Sequence, residues 1–160
     1  MMKKEFLYIV CAIVLIACNK PSRLEQYRAE KHVKDSTALV EQQRTLAYYE
    51  GQLEALMPIA DSLLTFFTYE RNEKYQDHGY YVAKRSNVRI LVRDDGREIL
   101  VYKEGKRQTN PDNFLRGKDK EAIERAKELQ IVIKDIQECE KRIKHTSLEV
   151  QKYEKRLEKQ

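Results

Sequence analysis

The chain has 160 residues, of which 36% are charged, with a formal net charge of +5, five glycines, three prolines and no tryptophan. This balance is typical of long solvated helices. It disfavours a compact enzyme domain built around one large core.

The amino-terminal segment has the organisation of a secretory signal. Lys3 and Lys4 precede an apolar run of about thirteen residues that ends at Cys18, whereas a transmembrane helix needs roughly 20. A positively charged start, a short apolar stretch and small residues at its end are the three regions of a signal peptide. The sequence therefore predicts a signal peptide over residues 1–17.

The last four residues of this segment are Leu15-Ile16-Ala17-Cys18, and they resemble the lipobox of bacterial lipoproteins. The resemblance implies that the Cys18 thiol is joined to a diacylglycerol and that the chain is cleaved between Ala17 and Cys18. It also implies a further acyl chain, such as palmitate, on the new amino terminus. Two or three acyl chains hold a protein stably at a membrane, whereas one holds it marginally. The alternative is an uncleaved apolar anchor with an incidental cysteine.

The residue after Cys18 indicates which membrane of the cell envelope the protein is anchored to. In bacterial lipoproteins an aspartate at this position tends to retain the protein in the inner membrane, and here the residue is Asn19. The resemblance thus implies a lipid-anchored protein of the cell envelope, with the outer membrane favoured over the inner one. After cleavage Cys139 has no intramolecular partner, so no disulfide framework is expected.

Two seams of apolar residues, spaced by three and four positions, predict a pair of long helices. The first runs from Leu39 to Phe67 and contains Pro58, which is expected to kink the helix or mark a restart. The second runs from Leu129 to Leu157 without a skipped position. Residues 18–37 lack such a seam, and they are predicted to form a lipidated tether with a charged helical spacer.

Between the helices the apolar period changes to two, which predicts a three-stranded antiparallel β-meander over residues 79–104. Asp95-Gly96 is a strong hairpin signal. It sets a register in which Val82, Leu91 and Leu100 lie side by side on one face, bordered by residues that include Arg89 and Tyr102. The other face is wholly apolar and is expected to pack against the helices.

These elements predict a mainly α protein with a small β insertion. Residues 38–160 would form a long antiparallel two-helix coiled coil that carries the meander near one end. By architecture alone this order of elements resembles prefoldin-type subunits, and a shared fold does not carry a function.

The sequence contains no residue pattern that is typical of a metal site or a catalytic site. His32, His78 and His145 lie far from one another and from the cysteines, so no metal-ligand spacing is present. Glycine-rich phosphate loops, nucleophile elbows and paired-acid sites are missing too. Cys139 occupies a seam position, which favours a small core residue over a reactive or intermolecular thiol. We expect no catalytic residue, no metal and no cofactor, and hence not an enzyme.

A basic cluster around residues 103–120 raises the question of nucleic acid as a partner. An exported, lipidated chain does not ordinarily meet nucleic acid, and acidic residues interrupt the cluster. An anionic surface such as lipid headgroups or envelope polysaccharide is the more reasonable partner. The simplest interpretation is a solvated charged loop.

Two classes of function are compatible with these features. One is a structural or interaction lipoprotein that presents a β head on a helical stalk to an unknown envelope protein. The alternative is a chaperone-like holdase or assembly factor in the periplasm. The candidate partner surface is the row of Val82, Leu91 and Leu100 with Arg89 and Tyr102 at its border. We expect this row to be covered either by Phe114-Leu115 of the same chain or by a second molecule. That molecule is another copy of the chain or an envelope partner.

Overall fold

The computed structural model describes residues 21–71, 78–83, 88–110 and 115–159. Two long helices pack against each other, and an antiparallel sheet lies between them in the sequence, which confirms the predicted fold class. The elements in chain order are α1 (Arg23–Leu64), β1 (Phe67–Arg71), β2 (Gly79–Ala83), β3 (Arg89–Arg93), β4 (Ile99–Lys103), β5 (Lys106–Arg107) and α2 (Lys118–Leu157).

The chain divides into two compact units. Among the described residues, the first comprises residues 21–42 together with residues 149–159, and the second comprises the described residues between Gln43 and Leu148. The first unit therefore pairs the start of α1 with the end of α2, as expected for antiparallel helices. The second unit contains the whole sheet.

A reciprocal cap starts α1. The Glu25 backbone N–H donates to Ser22 Oγ at 3.2 Å, and the Ser22 N–H donates to Glu25 Oε2 at 2.6 Å, so two otherwise unpaired donors are satisfied. The helix continues through Pro58, and the restart that the sequence suggested does not occur. Since α1 begins at Arg23, the predicted spacer is helical from that residue onward.

The carboxyl end of α1 differs from the periodicity prediction. The seam pattern placed Phe67 in the helix, but α1 ends at Leu64 and a turn leads into β1. The Phe66 N–H donates to the Leu63 carbonyl at 3.0 Å in that turn. Phe67 pairs with Ala83 across the sheet, because an aromatic and β-branched run fits a strand once a neighbouring strand is available.

Within the described residues, the sheet has five strands in the order β1-β2-β3-β4-β5, two more than the sequence predicted. The register predicted for the three central strands is confirmed: Val82 lies opposite Leu91, and Leu91 lies opposite Leu100. The fifth strand follows a tight turn in which Glu104 and Gly105 have φ angles of 53° and 76°. Two consecutive positive φ angles fit a type I′ hairpin, and glutamate at such a position gave no recognisable turn signal.

The inner face of the sheet packs against both helices in the second unit, as predicted. Ile90, Val92 and Leu129 are completely buried there. The same core contains Leu63 and Phe67 from the end of α1 and β1, and further residues from α2, namely Ile123, Ala126 and Val132. The hydrophobic effect across this interface is the main term that fixes the sheet on the helices.

The seam predicted in α2 agrees with the observed burial. Leu129, Val132, Cys139, Thr146 and Val150 are all less than one tenth exposed. Cys139 is a free, buried cysteine, as its seam position indicated.

Candidate interaction surface

The outer face of the sheet carries the predicted row of apolar residues. Val82, Leu91 and Leu100 are neighbours on β2, β3 and β4, and they form a cluster separate from the inner core. Their exposed fractions are 7%, 9% and 8%. The structure therefore brings the three residues together but leaves little of their surface in water.

Two tyrosines account for much of this cover. Tyr80 and Tyr102 are partly buried and pack against the row. Leu115 was a predicted cover, and that prediction is wrong: Leu115 is 4% exposed and belongs to the inner core. Phe114 lies outside the described residues. Neighbouring side chains on the strands shield the row, because Tyr80 and Tyr102 are long enough to lean over the shorter aliphatic residues.

Arg89 lies at the border of the row. It is directly opposite Tyr102 in the β3–β4 register. Its guanidinium forms an ion pair with Glu70 of β1. Both side chains of that pair are about half exposed, so the pair contributes little to stability. Glu70 was missed because no strand was predicted before residue 79.

At the other border, Arg93 is held by two carboxylates. Its Nε donates to Asp95 Oδ1 at 2.7 Å, a second nitrogen bonds to Asp95 Oδ2, and Glu98 lies 3.7 Å away. The bidentate contact between Arg93 and Asp95 was not predicted from the sequence. The hydrogen bonds from Arg93 lower the pKa of Asp95 to about 2.

Tyr80 extends this polar network. Its hydroxyl donates to Glu98 Oε1 at 3.2 Å. Burial, and then the neighbouring Glu98 carboxylate, raise the pKa of Tyr80 above its usual value. The phenol thus stays neutral at physiological pH and keeps its proton for the hydrogen bond.

A second polar contact joins β1 and β2 to the β3–β4 turn. Asp94 Oδ2 accepts hydrogen bonds from the Gly79 N–H at 2.7 Å and from the Tyr69 hydroxyl at 3.2 Å. The Tyr69 ring covers Gly79 so closely that a Cβ atom there would overlap it. Tyr69 and Asp94 escaped prediction, although the Phe67-Thr68-Tyr69 run is a strand signal that could have revealed β1.

The β3–β4 turn also rests on α2. Gly96 has a φ angle of 67°, and a Cβ atom there would lie 3.1 Å from the Gln130 carbonyl and 3.2 Å from Ile133 Cγ2. Both the left-handed backbone and the close approach require glycine. The β3–β4 turn therefore packs closely against α2.

Among the described residues, no group of three or more histidine, cysteine or acidic side chains could hold a metal ion. His78 Nδ1 lies 3.9 Å from Asp94 Oδ1, and His32 lies near Ser36 in the first unit. The buried side-chain nitrogen and oxygen atoms of the described chain all have hydrogen-bond partners.

A second apolar surface lies along the two helices near the sheet. Ile59 of α1 is 49% exposed and Ile131 of α2 is 57% exposed. Both line one depression together with Pro58 and Val132. This groove was not predicted from the sequence, because both isoleucines lie beside seam positions and look like part of a widened core stripe.

The predicted lipidation and cleavage residues, Cys18 and Ala17, lie outside the described residues. Within the described part of the chain, no helix is long and apolar enough to cross a membrane.

In comparisons with known proteins, no family model, no curated protein and no solved structure matches this chain.

Proposed function

We propose that this chain is a lipid-anchored protein of the cell envelope that binds another envelope protein through the head formed by its β-sheet. The observation that supports the anchor is the Leu15-Ile16-Ala17-Cys18 pattern after a short apolar run. Acylation of Cys18 would place the protein at a membrane, and Asn19 favours the outer membrane. In this proposal the protein has no catalytic role.

The outer sheet face supports an interaction role. The tyrosine and arginine side chains that cover and border the buried apolar row are of the types enriched in energetically important protein interfaces. Tyr102 and Arg89 border that row, and the turn contacts of Asp95 and Gly96 hold the border in place. Such a preorganised surface loses little conformational entropy when a partner binds.

The anchor is tested by metabolic labelling with a fatty-acid probe. Cys18→Ser should abolish labelling and leave an unprocessed precursor, whereas Cys139→Ser is the matched control and should label normally. Labelling of the Cys18→Ser variant at the control level would rule out the proposed anchor.

The partner surface is tested by site-specific photo-crosslinking in the envelope. A photo-reactive residue in place of Tyr102 should give a discrete adduct with one protein. The same residue in place of Tyr48, which is 61% exposed on α1, serves as the control. Equal adducts from both positions would show that the sheet face has no special role.

The exposed groove of Ile59 and Ile131 favours the second candidate function, a periplasmic holdase. Exposed apolar surface is what a client-holding protein needs. If the protein is a holdase, it should suppress aggregation of a heat-denatured client, and the double variant Ile59→Ser, Ile131→Ser should lose this effect. Leu148→Ser, at a residue 57% exposed, is the control. Absence of suppression by the unaltered chain would exclude this candidate.

A further inference from the structure

The start of α1 presents apolar and basic side chains together. Leu24 and Tyr27, which are nearly one helical turn apart, are 58% and 64% exposed. Arg28 and Lys31 are close to them in the helix, and both are exposed. Apolar side chains flanked by arginine and lysine are characteristic of helices that lie in a membrane interface.

The end of α2 adds to this surface within the first unit. Tyr153 and Arg156 line the same depression as Tyr27, Lys31 and Lys34. The Arg156 guanidinium lies over the Tyr153 ring, 5.3 Å from its centroid. Tyrosine and arginine thus meet at one end of the helix pair, where each has an apolar body and a polar tip that suit an interface.

The charge balance of this end is positive. Residues 23–34 carry four basic and two acidic side chains, and residues 153–159 carry three basic and two acidic ones. Glu30 and Asp35 also line the depression. Asp35 is 7% exposed, so its carboxylate is less accessible to a lipid headgroup than the exposed cations are.

The proposed anchor lies next to this surface in the chain. α1 begins at Arg23, five residues after Cys18. Five extended residues span at most about 18 Å. The inference here rests on the proposed acylation: with Cys18 in the lipid, the first turns of α1 cannot lie far from the headgroups.

We infer that Leu24, Tyr27, Arg28, Lys31 and Arg156 form a membrane-facing patch that seats the helix pair on anionic lipid headgroups. Leu24 and Tyr27 enter the boundary between headgroups and acyl chains. The three cations lie beside lipid phosphates, where each basic residue near an anionic surface strengthens binding several-fold. The patch would therefore orient the lipid-anchored protein, which the acyl chains alone cannot do.

The test measures vesicle binding by residues 19–160, which include every described helix and strand and carry no acyl chain. At low ionic strength, the amount of protein that co-sediments with phosphatidylcholine vesicles is compared with the amount that co-sediments with vesicles containing phosphatidylglycerol. We expect binding to the anionic vesicles only. The double variant Arg28→Gln, Lys31→Gln should bind roughly 30-fold more weakly, and Leu24→Ser, Tyr27→Ser should also weaken binding. Circular dichroism checks that both variants keep their helices.

The matched control is Lys106→Gln, Arg107→Gln on the exposed strand β5, which removes the same charge from the second unit. Its vesicle binding should equal that of the unaltered chain. The inference is overturned if the unaltered chain does not bind anionic vesicles, or if the control loses as much binding as the patch variant. It is also overturned if ultracentrifugation shows that Leu24→Ser, Tyr27→Ser instead dissociates a dimer. Because no acyl chain is present, these outcomes are independent of the fatty-acid labelling that tests the anchor.

Discussion

At the scale of single residues, Asp95 of the β3–β4 turn has a strongly lowered pKa. Its side chain is 19% exposed and bonds to Arg93 and to the Arg97 backbone N–H. The resulting pKa of about 2 lies below the usual value of 3.8. The ionised form of Asp95 is therefore favoured in the folded protein. Its contribution to the free energy of unfolding is present above pH 4 and disappears as the pH falls toward 2.

Asp95→Asn should lower the free energy of unfolding at pH 7 by up to about 2 kcal/mol, since one pKa unit corresponds to 1.36 kcal/mol. Urea denaturation at pH 7 and at successively lower pH measures the effect. The difference between the two proteins should shrink as the pH falls below 4. Glu70→Gln, at the exposed Arg89 pair, is the control and should change stability much less. A difference that persists unchanged at pH 2 contradicts the assignment.

Gly79 is required by the Tyr69 ring that covers it. Gly79→Ala should destabilise the protein, because the ring must move aside and its hydrogen bond to Asp94 is lost. In a Tyr69→Ala background the same change should be neutral or stabilising, since alanine loses less conformational entropy than glycine on folding. A double-mutant cycle based on thermal unfolding measures this coupling. Additive effects would show that the two residues are independent.

At the scale of the elements, α2 carries a buried and an exposed face along one helix. Leu129 is completely buried, whereas Leu148 is 57% exposed. Leu129→Ala should cost about 2–5 kcal/mol, because it removes packed methyl groups and leaves a cavity. Leu148→Ala changes the helix propensity by the same amount, and it should lower the free energy of unfolding far less. Chemical denaturation of both variants compares them, and similar losses would contradict the observed packing.

At the scale of the whole molecule, the first unit depends on pairing between the two chain ends. Isolated helices are marginally stable in water, so deletion of residues 149–160 should loosen α1 up to Gln42. Hydrogen exchange should then show faster exchange in residues 23–42 and unchanged protection in the sheet. Unchanged protection in both regions would mean that α1 is stable without its partner. Loss of protection throughout would mean that the two units unfold together.

The elements that sequence alone determined are those whose signals are local. The register of β2, β3 and β4 followed from the alternation of apolar residues and from the Asp95-Gly96 turn, because a one-residue slip would exchange the two faces of the sheet. The buried seam of α2, with Leu129 and Cys139, followed from its regular spacing.

Tertiary structure decided what depends on distant partners. Phe67 continues a helical pattern in sequence, but it starts β1 because β2 offers a pairing edge. The apolar side chain of Leu115 is compatible with both the outer row and the inner core, and in the structure it lies in the inner core. Tyr69 and Asp94 are 25 residues apart in the chain, so only the folded sheet brings them together. Long-range burial and pairing thus overrode local periodicity at these positions, since each local signal fitted more than one environment.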